Sequence, residues 1–86
     1  MISEQVILGV PEGLHLRPAN RLCNIAIGFQ SSITFRVRES DYNAKSVLST
    51  LGACIRFGDT FEIRCDGPDE QEALKAMCEA VRGELT

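Results

Sequence analysis

Two short stretches of this chain alternate apolar and polar residues with a period of two. Ile33, Phe35 and Val37 alternate with Thr34, Arg36 and Arg38, and Phe61, Ile63 and Cys65 alternate with Thr60, Glu62 and Arg64. Side chains of a strand point to opposite faces in turn, so each stretch predicts a strand with one apolar face and one polar face. Between and after them the period lengthens. Alternation gives way to helical spacing at Ala19, Leu22, Cys23 and Ala26, which follow i, i+3, i+4 and i+7. Leu74, Met77, Cys78, Val81 and Leu85 mark a second such stripe. One-faced strands and one-striped helices bury their apolar sides against each other, which predicts two layers: a sheet open to water on one side and helices on the other.

The remaining signals complete the order. Glu4 to Val10 is an apolar-rich run closed by Pro11-Glu12-Gly13, a strand and then a loop. Pro18 suits the first turn of the helix that follows, where its missing N–H has no intrahelical acceptor to lose. Gly28 is expected to end that helix in the left-handed conformation, with Phe29 folding back on the last turn. Glu39-Ser40-Asp41 predicts a turn into a short strand at Tyr42 to Ala44, and Ser46 predicts the N-cap of a short helix carrying Val47, Leu48 and Leu51. Gly58-Asp59 is a turn, and Asp66-Gly67-Pro68 breaks the last strand. Asp69 with Glu72 predicts a capping box, and acids fill the first turn of the last helix. The order β-α-β-β-α-β-α gives an α+β fold, a four-stranded antiparallel sheet covered on one face by three helices. At 86 residues the chain is expected to be one domain, 1–86.

Charge and cysteine usage bound the function. A net charge of −3 lacks the basic footprint of a nucleic-acid binder. No apolar run approaches the ~20 residues that span a bilayer, and Met1-Ile2-Ser3-Glu4-Gln5 has neither the basic nor the apolar part of a secretory leader. A cytoplasmic protein without membrane insertion is expected. Its four cysteines, Cys23, Cys54, Cys65 and Cys78, form no Cys-x-x-Cys pair. Three fall on apolar faces, where reduced cysteine acts as a small hydrophobe.

Gly13-Leu14-His15-Leu16-Arg17-Pro18-Ala19 carries the chemistry. It holds the one histidine of the chain and lies where a helix begins. A helix N-terminus offers unpaired N–H groups and the positive end of the macrodipole, a site for phosphate. The same field favours the neutral, nucleophilic imidazole over the imidazolium. Arg17 adds a guanidinium able to clamp phosphate oxygens. The residues alone therefore read as an anion site with a nucleophilic histidine. Leu16, Val47, Leu48 and Leu51 read as an apolar docking patch for protein partners beside it, unless Leu48 and Leu51 face the core.

The chain resembles the histidine-containing phosphocarrier (HPr) family of the bacterial sugar phosphotransferase system. The resemblance rests on Gly-Leu-His-x-Arg-Pro-Ala at 13 to 19, on Ala44-Lys45-Ser46, and on Gly67-Pro68-Asp69-Glu70 at the last helix. It implies an open-faced β-sandwich and a carrier, not an enzyme in its own right. His15 would accept a phosphoryl group on Nδ1 from phosphorylated enzyme I and donate it to IIA domains of sugar transporters. Arg17 and the N–H groups of Leu16 and Arg17 would stabilise it. No metal and no cofactor is implied, and a carrier with successive partners is expected to be monomeric. Ser46 matches a serine that an HPr serine kinase modifies in many family members, giving a partner for a catabolite-control transcription factor. A plain helix cap explains the same serine.

Three residues depart from the family pattern: Leu16 where a small residue or Thr is usual, Glu12 where Ser or Asn is common, and Cys54 where glycine is frequent. The main rival is an HPr-like regulatory paralogue, of the carbon catabolite or nitrogen-related branch, acting by protein–protein interaction. A ferredoxin-like metal module would need a Cys-x-x-Cys loop where Pro11-Glu12-Gly13 stands. A catalytic domain would need an acid or base partnering the histidine.

Overall fold

The structure, a computed structural model, describes residues 1–84. Its elements are β1 (Ile2–Ile7), α1 (Leu16–Ile27), β2 (Ser32–Val37), β3 (Ser40–Asn43), α2 (Val47–Gly52), β4 (Thr60–Asp66) and α3 (Glu70–Glu79), with a wide closing turn at Ala80–Glu84. The strands form one antiparallel sheet in the order β1-β4-β2-β3. This is the architecture expected from the periodicities.

Register puts the apolar residues in one layer. Val6 faces Phe61, Ile63 faces both Glu4 and Phe35, and Cys65 faces Ile2 and Ile33. Phe35 and Phe61 meet edge to face, with ring centroids 5.4 Å apart, the arrangement their quadrupoles favour. Leu22 and Ala26 of α1 and Leu74, Met77 and Cys78 of α3 close this layer from the helix side. Leu85 of the predicted stripe lies outside the described residues.

Several local expectations are corrected. β1 runs Ile2–Ile7 and not Glu4 to Val10. The Leu8 amide instead donates to the Asp59 carbonyl and the Gly9 amide to the Val81 carbonyl, both at 2.9 Å, which takes the chain off the sheet edge. Gly28 is right-handed (φ −69°), because its amide bonds Ile25 and that of Phe29 bonds Ala26 at 3.1 and 3.2 Å, tightening the last turn without a left-handed residue. Phe29 does pack against the core. The β2–β3 turn is Arg38-Glu39, with φ of 48° and 68°, and β3 starts at Ser40. Two left-handed residues match the twist of the flanking strands in a two-residue hairpin loop.

Asp69 does not cap α3 with its side chain, and no capping box forms. Its carboxylate accepts from the Gln30 and Ser31 amides at 2.9 Å and from Ser31 Oγ at 2.5 Å. The Ser31 hydroxyl, then the Gln30 amide, hold its carboxyl below the usual carboxylate range. Glu70 accepts from the Gly67 amide at 3.1 Å instead.

Candidate functional site

The segment before α1 is fixed by its backbone. The Gly13 amide bonds the Val10 carbonyl at 2.9 Å, and the Leu14 amide bonds the Ile55 carbonyl at 3.0 Å. Gly13 has φ +77°, and a Cβ there would lie 3.3 Å from the Ile55 oxygen, so conformation and space both favour glycine. Leu14 is buried beneath. The result holds residues 13 and 14 against the loop after α2 and delivers His15 just ahead of α1, at its N-cap.

His15 is the N-cap residue of α1 (φ −77°, ψ −175°), and its side chain makes no capping hydrogen bond. Its carbonyl accepts from the Ala19 amide at 2.9 Å, starting the helix. Among the described residues no acceptor meets the amides of Leu16 and Arg17. Pro18 has no N–H to offer, and no acid stands in the first turn. Arg17 is exposed and, among the described residues, forms no ion pair or hydrogen bond. An exposed imidazole, two open amides and an uncommitted guanidinium thus share one helix end, a constellation suited to a bound phosphate.

A groove of about 510 Å³ adjoins His15, with Glu12, Leu51, Cys54, Arg56 and Phe57 among its walls. Periodicity had no means of finding Arg56 and Phe57, which lie in a loop. The one signal for them is an aromatic set among turn residues; Phe57 is 62% exposed.

α2 lies alongside α1. Cys23 Sγ sits 3.7 Å from Thr50 Oγ1, and Lys45 Nζ donates to the Phe29 carbonyl at 2.6 Å. α2 therefore runs back along α1, with Leu51 reaching the His15 groove and Ser46 at the far end. Ser46 caps α2 as expected: its Oγ accepts from the Ser49 amide at 3.2 Å. Leu16 and Leu48 are 65% and 83% exposed, while Val47 and Leu51 are half-buried. Neither Leu48 nor Leu51 joins the core.

The cysteines are free, with Cys23, Cys65 and Cys78 buried and Cys54 exposed. Burial pushes the Cys23 and Cys78 thiols up and takes Cys65 to about 11, so all three stay protonated and unreactive at neutral pH. Among the described residues no group of His, Cys, Asp and Glu has the arrangement to hold a metal ion. No helix among them is long and apolar enough to cross a membrane.

The family model described as "PTS HPr component phosphorylation site" matches residues 2–82. The chain belongs to the HPr family. It is 35% identical over 77 residues to the phosphocarrier protein HPr of Lysinibacillus sphaericus, covering 90% of this chain and 88% of that one. HPr-C-His from Thermoanaerobacter tengcongensis superposes with a TM-score of 0.90 at 28% identity, covering 94% of this chain and 91% of the other. HPr from Bacillus anthracis str. Ames gives 0.90 at 29% identity, covering 93% and 95%. HPr membership makes this a phosphocarrier of the phosphotransferase system and fits a carrier without catalysis of its own.

Proposed function

We propose that this HPr-family chain acts as one phosphocarrier domain, 1–86, that takes a phosphoryl group on His15 from phosphorylated enzyme I and gives it to IIA domains of sugar transporters. The observation that carries this is the start of α1, where His15 stands at an N-cap it does not itself satisfy. With the ring proton on Nε2, the Nδ1 lone pair attacks phosphorus as the donor's P–N bond breaks. The bonding pair returns to the donor nitrogen, whose ring, protonated on its other nitrogen, leaves as neutral imidazole while the positive charge passes to the His15 ring. The phosphoryl oxygens carry their negative charge throughout and meet the amides of Leu16 and Arg17 and the Arg17 guanidinium. Transfer to a IIA histidine is the reverse of this step. The exchange of one P–N bond for another is near balance, so the work is positioning and charge stabilisation.

Leu16 and Leu48, flanked by Val47 and Leu51, serve as the docking surface for these partners in turn, and the carrier works as a cytoplasmic monomer. Ser46 is a regulatory site for an HPr serine kinase, the product engaging a catabolite-control transcription factor. Its support is an N-cap position, where the dipole favours the roughly −2 charge a phosphate adds.

Incubation with phosphoenolpyruvate and enzyme I, followed by intact mass, tests the main reading. One acid-labile, base-stable phosphate is expected, with complete loss in His15→Ala. Labelling that survives in that variant overturns the assignment.

A further inference from the structure

We propose that Arg56 is a second phosphate-facing cation of the His15 site, offsetting the carboxylate of Glu12 across the same groove. The inference rests on the reading of His15 as the phosphoryl acceptor and deepens it. Glu12, His15 and Arg56 line one groove. Both charged side chains are exposed, and among the described residues neither forms an ion pair or a side-chain hydrogen bond. They are opposite charges left uncommitted in the groove that His15 also lines.

The backbone of Arg56 is fixed while its guanidinium is free. Its amide donates to Asp59 Oδ2 at 2.9 Å, and the Asp59 amide returns to its carbonyl at 3.0 Å. That occupies the acid nearest in sequence, whose carboxylate also faces the Arg38 guanidinium at 3.7 Å. The Arg56 Cα lies 3.5 Å from the Cβ position at Gly13, so the residue is anchored against the backbone that delivers His15. Two cations then approach a phosphate on His15 from different elements, Arg17 from α1 and Arg56 from the loop after α2. Glu12 alone repels the dianion; with Arg56 opposite, the groove adds no net charge of its own.

A phosphate on His15 reports this field through its own ionisation. The full chain is loaded with phosphoramidate, which phosphorylates histidine without a protein partner, and its phosphorus resonance is followed against pH at low salt. A nearby cation favours the dianion, so Arg56→Gln raises the titration midpoint by about 0.2–0.7 pH unit, the range expected for an exposed charge pair. Arg17→Gln also raises it, Glu12→Gln lowers it, and Arg56→Lys leaves it near the wild-type value. Raising the salt shrinks all of these shifts. A midpoint unmoved by Arg56→Gln at low salt while Arg17→Gln moves it, or an Arg56→Lys shift equal to that of Arg56→Gln, overturns the proposal. Failure of enzyme I to label the protein bears on the proposed function and leaves this readout intact.

Discussion

At the start of α1 the N-cap residue, His15, leaves its side chain in solvent; at the start of α2 the N-cap residue, Ser46, turns its hydroxyl onto the Ser49 amide. The two positions have the same extended backbone and differ three residues on. In α2 that residue is Ser49, with an amide to cap. In α1 it is Pro18, which has none, so a side-chain cap would find only the Arg17 amide. The first helix end stays open because proline removes the donor that a cap normally takes, and its amides remain for a ligand. The second end is closed and stable, and a modification of its serine must replace a bond already made. α3 is a third case, since its N-cap residue Asp69 spends its carboxylate on Gln30 and Ser31.

Three measurements sharpen or break this contrast. Ser46→Ala removes the closed cap and is expected to destabilise the fold by about 1 kcal/mol in denaturant unfolding. A loss near zero means that the hydroxyl does not hold α2. Asp69→Asn tests the third end through pH. The folded-state Asp69 carboxyl is held low, so its contribution is present above the ordinary carboxylate range, near pH 4, and fades as pH falls through the lowered value. The wild-type unfolding midpoint therefore declines in acid more steeply than that of the variant; parallel acid limbs refute the assignment. The smallest effect is that of His15→Ser on stability, expected within about 0.5 kcal/mol of wild type because Pro18 leaves the new hydroxyl one donor only. A gain as large as the Ser46→Ala loss breaks the explanation from proline.

What the sequence revealed and what it concealed divide by range. Strand faces at 33–37 and 61–65 and the stripes of α1 and α3 follow from periods of two and of three to four, which depend on neighbours alone. The helix start at His15 and the Ser46 cap were legible for the same reason. Asp69 has the local pattern of a cap, while its true partners lie 38 and 39 residues away, beyond the reach of any local pattern. The sequence signal places this turn one residue late, at Glu39-Ser40-Asp41, since neither Arg38 nor Glu39 is a residue that favours positive φ. Cys54 stood out as a departure, and its φ of 53° supplies the reason that glycine suits the position. The groove wall at Arg56 and Phe57 was hidden because it depends on the Leu14–Ile55 hydrogen bond, a contact between distant segments.

The strand order has a consequence for how the chain is made. β1 is synthesised long before β4, yet among the described residues β4 is its one neighbour in the sheet, with Ile2 opposite Cys65 and Ile7 opposite Thr60. Until residues 60–66 leave the ribosome, the N-terminal strand has no edge to join, and closing that long loop is the costliest pairing in the sheet. β2 and β3 face no such wait, because two residues connect them. The nascent chain can form its hairpin early and must carry an unpaired, partly apolar β1 until β4 is made, the stage at which such an edge is open to partners other than β4.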